Sequence, residues 1–208
     1  MEYYGLSKPK VLAKGNILDL ALEEYSILYK TFLDYEARPT LQGAKIFVKN
    51  DIIQGMHERY LHSISLADKK YYKAILPCTN EEASINCITK CKLENSTFIF
   101  QRLKRTECLY RLSRIQWIPE VIKYANENNE FIKIWRNEQK DETNEKWVWK
   151  RKVRYKNGLA DFIIIFNELY DKTNKNKLNY LDFRTAYPIF LPQEGVDLDK
   201  EYVKCTKK

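Results

Sequence analysis

Trp147-Val148-Trp149-Lys150-Arg151-Lys152-Val153-Arg154-Tyr155 alternates bulky and charged side chains, the two-residue period of a half-buried strand. Ala160 to Tyr170 (ADFIIIFNELY) follows as a nearly continuous apolar run, and Leu178 to Leu191 is a third strand signal containing Arg184-Thr185-Ala186-Tyr187-Pro188. Asn157-Gly158 and Asn174-Lys175-Asn176 supply turn residues between the three. Strands joined by short turns predict an antiparallel sheet. The last strand gathers a guanidinium, a hydroxyl and a phenol at one basic end, a place suited to chemistry on a phosphodiester.

Upstream, the sequence reads mainly as helices. Asn16 caps ILDLALEEYSILYKTFLDYEA, where Ile17, Leu20, Ala21, Tyr25, Leu28 and Phe32 recur at helical spacing until Arg38-Pro39-Thr40. A short strand is expected from Ala44 to Val48. Asp51 caps a second helix, IIQGMHERYLHSI, which carries both histidines of the chain. Thr79-Asn80-Glu81-Glu82 is a capping box opening a third helix to Lys92, and Thr97 to Leu103 alternates like a strand. Thr106 caps a long amphipathic helix, ECLYRLSRIQWIPEVIKYANEN, kinked at Pro119. Residues 126–146 are the most polar part and are expected to form a helix end, a loop and a turn. Helices followed by an antiparallel sheet make an α+β fold in a single domain.

Composition narrows the partners. With 15 Tyr, 9 Phe and 4 Trp against 6 Gly and 6 Pro in 208 residues, the chain is built to pack rather than to stay disordered. Its 36 basic and 28 acidic residues leave a net charge of +8 and a pI near 9.1, which favours a polyanion, RNA or DNA ahead of an anionic membrane. No apolar stretch approaches the roughly 20 residues that span a bilayer, so no membrane partner is expected. The opening MEYYGLSKPKVLAKGN has no apolar signal-peptide core, and an odd count of 5 Cys suits reduced thiols and a cytoplasmic location.

Two clusters can carry chemistry. Glu58 and His62 are i, i+4 neighbours and Arg59 and His62 are i, i+3 neighbours, so a carboxylate, a guanidinium and an imidazole share one helix face. That set suits RNA cleavage: a base takes the 2′-hydroxyl proton, an acid serves the 5′ oxygen and a cation steadies the phosphorane. Lys69 and Lys70 lie just downstream as phosphate contacts. Farther on, Arg111 and Arg114 lie one turn apart beside Tyr110 and Trp117, a combination suited to single-stranded RNA or to an ordinary amphipathic helix. Cys78, Cys87, Cys91 and Cys108 lack a CxxC hook and read as buried thiols rather than a zinc site. There is no P-loop, GxGxxG, HExxH or paired-carboxylate motif, so neither a cofactor nor a metal is expected.

Arg59-Tyr60-Leu61-His62 ahead of Ser113-Arg114-Ile115, then Ala160-Asp161-Phe162-Ile163-Ile164 and Thr185-Ala186-Tyr187-Pro188, resembles the phage-type branch of the barnase/EndoU/colicin/RelE nuclease superfamily. The resemblance implies helices ahead of a curved antiparallel sheet, with residues 51–208 the nuclease domain and residues 1–50 an N-terminal helical extension carrying a short strand. It implies metal-independent cleavage of RNA through a 2′,3′-cyclic phosphate. His62 takes the acid/base role, Arg59 a phosphate or orienting role, and Thr185 and Tyr187 hold the scissile phosphate and its neighbour, with Arg184 as a further clamp. A prophage or interbacterial toxin of this kind is expected to meet an antitoxin or immunity protein. The other readings are a nucleic-acid-binding module without turnover and a protein-binding phage or host factor; no pattern specifies an oligomeric state.

Overall fold

The structure, a computed structural model, describes residues 2–12, 17–67, 105–141, 145–174 and 177–207. A hairpin of β1 (Glu2–Tyr3) and β2 (Leu6–Ser7) precedes helix α1 (Ile17–Leu28), which runs on into a π-helical turn over Tyr29–Leu33. Next come β3 (Thr40–Leu41), β4 (Ala44–Phe47), β5 (Ile52–Ile53), β6 (Met56–His57), α2 (Glu58–Ser63) and β7 (Ser65–Ala67). The chain then continues through β8 (Arg105–Glu107), α3 (Leu109–Leu112) and α4 (Trp117–Asn126). Strands β9 (Ile132–Lys140), β10 (Trp147–Asn157), β11 (Ala160–Tyr170) and β12 (Leu178–Pro188) follow, and α5 (Pro192–Thr206) comes last.

The fold is α+β, with five helices among the described residues and a curved, mixed, six-stranded half-barrel. Strand order is β3-β4-β12-β11-β10-β9. Strands β9 to β12 form the expected antiparallel meander, but β12 also pairs with β4 in parallel, at Leu181↔Ile46 and Asp182↔Phe47. The sheet is therefore not purely antiparallel: the N-terminal segment supplies two of its strands.

Alternation decides which side chains face which layer. Val153, Tyr155, Phe162, Ile164, Phe166, Leu181, Phe183 and Ala186 form one core with Leu20, Ala21, Leu28 and Phe32 of the first helical segment and with Trp117, Ile118, Val121 and Ile122 of α4. The Phe32 and Phe183 rings meet at 4.8 Å. Residues ahead of position 50 share this core through Leu6, Leu41 and Ile46 as well. On the opposite face, Trp135 and Ile163 pack against Leu198 of α5. That second cover explains why β11 reads as a continuous apolar run rather than an alternating one.

Several local expectations change. Residues 52–57 are a β5–β6 hairpin, not the start of a helix, because Gln54 and Gly55 adopt left-handed φ of +47° and +79° that reverse the chain. The long helix expected after Thr106 is instead strand β8 and two short helices. Pro119 sits third in α4, where an absent N–H costs nothing, so it belongs to a helix start rather than a kink. The polar 126–146 stretch contains the edge strand β9, whose inward backbone groups pair with β10 while Trp135 is its one fully enclosed side chain. Helix α5, opened by Pro192, had no counterpart in the sequence reading. Asn16, the helix expected from Thr79, the strand from Thr97, and Cys78, Cys87 and Cys91 lie outside the described residues; Cys108 is buried. No helix among the described residues is long and apolar enough to cross a membrane.

Candidate functional site

Strand β4 pairs with β12 at only two positions, so the rest of that edge of β12 needs another partner. Helix α2 provides it. Ser63 Oγ accepts the Ala186 N–H at 3.2 Å while donating to the Arg59 carbonyl at 3.0 Å. This brings the Arg59–His62 turn against the strand that carries Arg184, Thr185 and Tyr187. Between β11 and β12 the register slips: Ile165 faces Thr185 and Phe166 faces Phe183, which leaves Arg184 as the extra residue of a β-bulge. A bulge bends the strand and re-aims that side chain.

Arg59 and Arg184 line a cavity of about 610 Å³ with Lys49, Asp141, Asn167 and Asp182, walled by Phe47, Val48, Val148, Leu169 and Tyr180. By strand alternation the cavity occupies the part of the outer sheet face that α5 leaves open. Arg59 is only 8% exposed, yet its Nε has no hydrogen-bond partner among the described residues. Burial, and then the neighbouring charge of Arg184, hold its pKa below the ordinary guanidinium value. Asn167 Oδ1 is likewise buried without a partner. Arg184 approaches Asp141 at 3.8 Å and Asp182 at 3.9 Å, contacts too long for hydrogen bonds. Burial pushes the Asp182 carboxyl up, against the pull of Arg184, Arg59 and Lys49.

His62 lies beside this cavity, its Nε2 3.4 Å from Glu58 Oε1. Burial, reinforced by the charges of Arg105, Arg59, Arg184 and Arg111, lowers its pKa to about 3. At neutral pH the imidazole is uncharged in a field of four guanidinium groups. Such a field attracts anions, and a bound anion offsets the charges that depress the histidine. His57, by contrast, is buried against Tyr25: its Nδ1 is hydrogen-bonded to the Tyr25 hydroxyl and the rings stack at 6.0 Å.

Arg111 closes the far side. Its Nη1 donates to the Ser65 carbonyl at 2.9 Å, and its Cζ lies 4.5 Å from the centre of the Tyr187 ring. Tyr187 also hydrogen-bonds Glu194 of α5, whose carboxyl burial pushes upward. Thr185 lies between Arg184 and Tyr187 on β12, paired with Ile165. The fold thus gathers Arg59, His62, Arg111, Arg184, Thr185 and Tyr187 around the meeting of α2, α3 and β12. Arg114 stands apart: fully buried, it donates to the Tyr110 carbonyl at 3.0 Å and stacks 3.6 Å over the Tyr110 ring and 5.3 Å from Trp117. That places it in the scaffold rather than in the cleft. Lys69 and Lys70 lie outside the described residues.

Arg105, which the sequence groups with Arg111 and Arg114 in one basic span, instead donates to the His62 carbonyl at 3.2 Å and the Ser65 carbonyl at 2.8 Å, a contact that sequence reasoning did not foresee. Asp182, which stands isolated from acidic partners in the sequence, pairs with Asn167 at the cavity, an arrangement that sequence reasoning did not foresee. These two are cross-strand partners on β11 and β12, and the outward parity of the meander was a signal that sets them side by side. No family model matches the chain, and no curated protein or solved structure matches it significantly.

Proposed function

We propose that the protein is a metal-independent endoribonuclease whose cleft holds an RNA phosphodiester among Arg59, Arg184 and Arg111. The observation that carries this reading is the neutral His62 imidazole set in a field of four arginines, beside a cavity lined by the buried Arg59 and by Arg184. In the neutral form His62 accepts the 2′-hydroxyl proton, and the 2′ oxygen attacks phosphorus. The bond to the 5′ oxygen breaks, the Tyr187 hydroxyl gives that oxygen its proton, and a 2′,3′-cyclic phosphate and a 5′-hydroxyl end remain. Solvent then restores the proton to Tyr187 and takes one from His62. Arg59 and Arg184 offset the charge on the phosphorane. The negative phosphate raises the basicity of His62 where it is needed.

The element order and the Arg-x-x-His and Thr-x-Tyr-Pro motifs support placing the chain in the phage-type branch of the barnase/EndoU/colicin/RelE superfamily. On that reading it acts as a toxin restrained by an antitoxin or immunity protein. The test is incubation with total RNA in EDTA. Wild type is expected to yield fragments ending in cyclic phosphate, and His62→Ala to lose roughly 100-fold or more in rate. Equal cutting by the two proteins overturns the assignment.

A second reading, RNA binding without turnover, is favoured by the depth of the His62 shift, since a base near pKa 3 in the free protein is weak. Salt-sensitive RNA binding with intact RNA recovered after long incubation supports it.

A further inference from the structure

The six-stranded sheet ends on β9, which pairs with β10 on one side and, among the described residues, with no strand on the other. Its hydrogen-bond phase is fixed at both ends. The Asp141 N–H donates to the Lys146 carbonyl at 2.7 Å, and the Lys156 N–H to the Phe131 carbonyl at 3.0 Å. The odd-numbered residues of β9 therefore bond to β10, while Ile134, Arg136, Glu138 and Lys140 turn N–H and C=O toward the open edge. Helix α5 sits on the outer face of the strand, held by Lys133 and Trp135. An open row of backbone donors and acceptors is a template for another strand.

The side chains of this row share the inner face of the sheet, where Ile132 and Ile134 lie opposite Tyr155 and Val153. Past Ile134 they alternate in charge: Arg136, Glu138, Lys140. Arg136 and Arg151 are cross-strand neighbours, and both reach Glu168, at 2.9 and 2.8 Å. Two guanidinium groups thus share one buried carboxylate, while the exposed Glu138 makes no ion pair among the described residues. Beside Glu138 lies Trp149, 38% exposed, with the Arg136 Cζ 4.6 Å from its ring centre, and beside Lys140 lies Trp147, 67% exposed. Tryptophan and arginine are the residues that gather at the centres of protein interfaces. Glu138, Glu145 and Glu168 stand among Arg136, Lys140 and Arg151, a mixed field that suits a protein better than a polyanion.

We propose that β9 pairs with β9 of a second copy of this chain, antiparallel about a two-fold axis at Asn137, so that two half-barrels share one continuous sheet. The dimer stands independently of the RNA reading. Self-pairing about a two-fold axis admits several registers, and charge chooses among them. An axis at Arg136 sets that arginine against its own copy. An axis at Glu138 sets Glu138 against itself and Arg136 against Lys140. An axis at Trp135 brings no opposite charges together, and one at Gln139 pairs Glu138 with Lys140 but leaves Ile134 and Arg136 past the end of the neighbouring strand. With the axis at Asn137, Arg136 faces Glu138 of the second copy and Ile134 faces Lys140. All four are outward-turned residues, so each pair exchanges two backbone hydrogen bonds, and symmetry makes each pair twice. Opposite charges placed directly across such a pair stabilise it, and like charges oppose it. The open backbone groups, the unpaired Glu138 and the two exposed tryptophans then lie along one seam.

Sedimentation velocity of the full chain from about 1 to about 100 µM tests this, with wild type expected to pass from monomer to dimer across the range. Glu138→Pro removes one outward N–H and leaves the β10 ladder intact, and Glu138→Lys sets like charges across the seam. Each is expected to weaken dimerisation roughly tenfold or more. Should Glu138→Pro not fold, Glu138→Lys decides alone. Register is read by cross-linking. Asn137→Cys lies about 4.5 Å, Cα to Cα, from its counterpart across the axis, within disulfide reach. Gln139→Cys lies roughly 14 Å from its own, out of reach. Under mild oxidation the first is expected to give a disulfide-linked dimer and the second no more than wild type, whose Cys205 is exposed. A wild type that stays monomeric at the highest concentration overturns the proposal and leaves the edge to a strand of a different protein. A dimer undiminished in the folded Glu138 variants overturns this interface, and so does cross-linking of Gln139→Cys as readily as Asn137→Cys.

Discussion

Arg111 lays its guanidinium 4.5 Å from the centre of the Tyr187 ring and so ties helix α3 to the closing end of β12. The arginine is anchored behind by Ser65, and the tyrosine by Glu194 of the last helix. Three segments distant in sequence therefore meet at one stacked pair. Arg111→Lys keeps the charge and loses the planar stack, so urea denaturation is expected to show a loss of about 1–2 kcal/mol. Tyr187→Phe, which retains the ring, is expected to keep the stacking contribution and to lose RNA cleavage.

His62 should report its surroundings directly. In a two-dimensional NMR titration its ring signals are expected to stay those of the neutral form from pH 8 down past the ordinary value of 6.5, and to move only near pH 3. The unfolded chain takes up that proton below 6.5 and the folded one does not, so this group makes acid destabilising between those values and has no effect above them. Adding a short non-cleavable RNA should shift the midpoint upward, because its phosphates oppose the arginine field.

Arg59→Met separates binding from stability. Burial is the largest influence on Arg59 and outweighs the pull of Glu58, Asp182 and Asp51, so removing the charge relieves a desolvation cost and the variant is expected to be as stable as wild type or more so in urea. Its RNA affinity, read by filter binding at low salt, should fall roughly tenfold or more, since a charge-assisted contact of about 1.5–3 kcal/mol is lost. A parallel fall in both quantities would mean Arg59 is part of the scaffold.

Arg114→Ala is expected to do the reverse. The side chain is enclosed by Tyr110 and Trp117, and its loss empties that space, at a cost of about 3 kcal/mol or more. RNA binding per folded molecule, measured below the unfolding midpoint, should remain unchanged.

Helix α5 adds an acid-sensitive attachment. Despite a desolvation penalty that pushes it up, Asp199 is pulled from 3.8 to about 2 by hydrogen bonds from Lys133 and Lys156 and by the charge of Arg154. Its contribution is complete above 3.8 and fades as pH falls toward 2. Asp199→Asn should therefore flatten the acid limb of stability, and hydrogen exchange should show α5 protected less than the sheet.

The sheet was legible because its strands obey simple patterns. Val153 and Tyr155 alternate with Lys152 and Arg154, and Gly158 marks the turn where φ is +54°. The Glu58–Arg59–His62 face was legible from helical spacing, although the helix expected after Asp51 begins only at Glu58, behind the β5–β6 hairpin. The parallel pairing of β4 was not, because a four-residue strand carries little periodicity and its partner lies most of the chain away. The separation of Arg114 from Arg111 was hidden for another reason. Three residues apart in sequence, they fall on either side of the helix break after Leu112, and one turns to the core while the other reaches the cleft. The pairing of Asn167 with Asp182 at the cavity depends on cross-strand register, which a bulge at Arg184 shifts.

Strand β12 is inserted between β4 and β11 although most of the chain is synthesised between β4 and β12. The cleft borrows residues from α2 on one side and β12 on the other, so it has no partial form. A nascent chain emerging from the ribosome carries the helix for a long interval before the strand exists. Until β12 slots into its place the arginines are scattered along an open polymer, and the ribosome that makes the protein is not exposed to a finished cleft. Such late, long-range closure also makes folding slow, and under the proposed function it ties cleavage to the completion of the sheet.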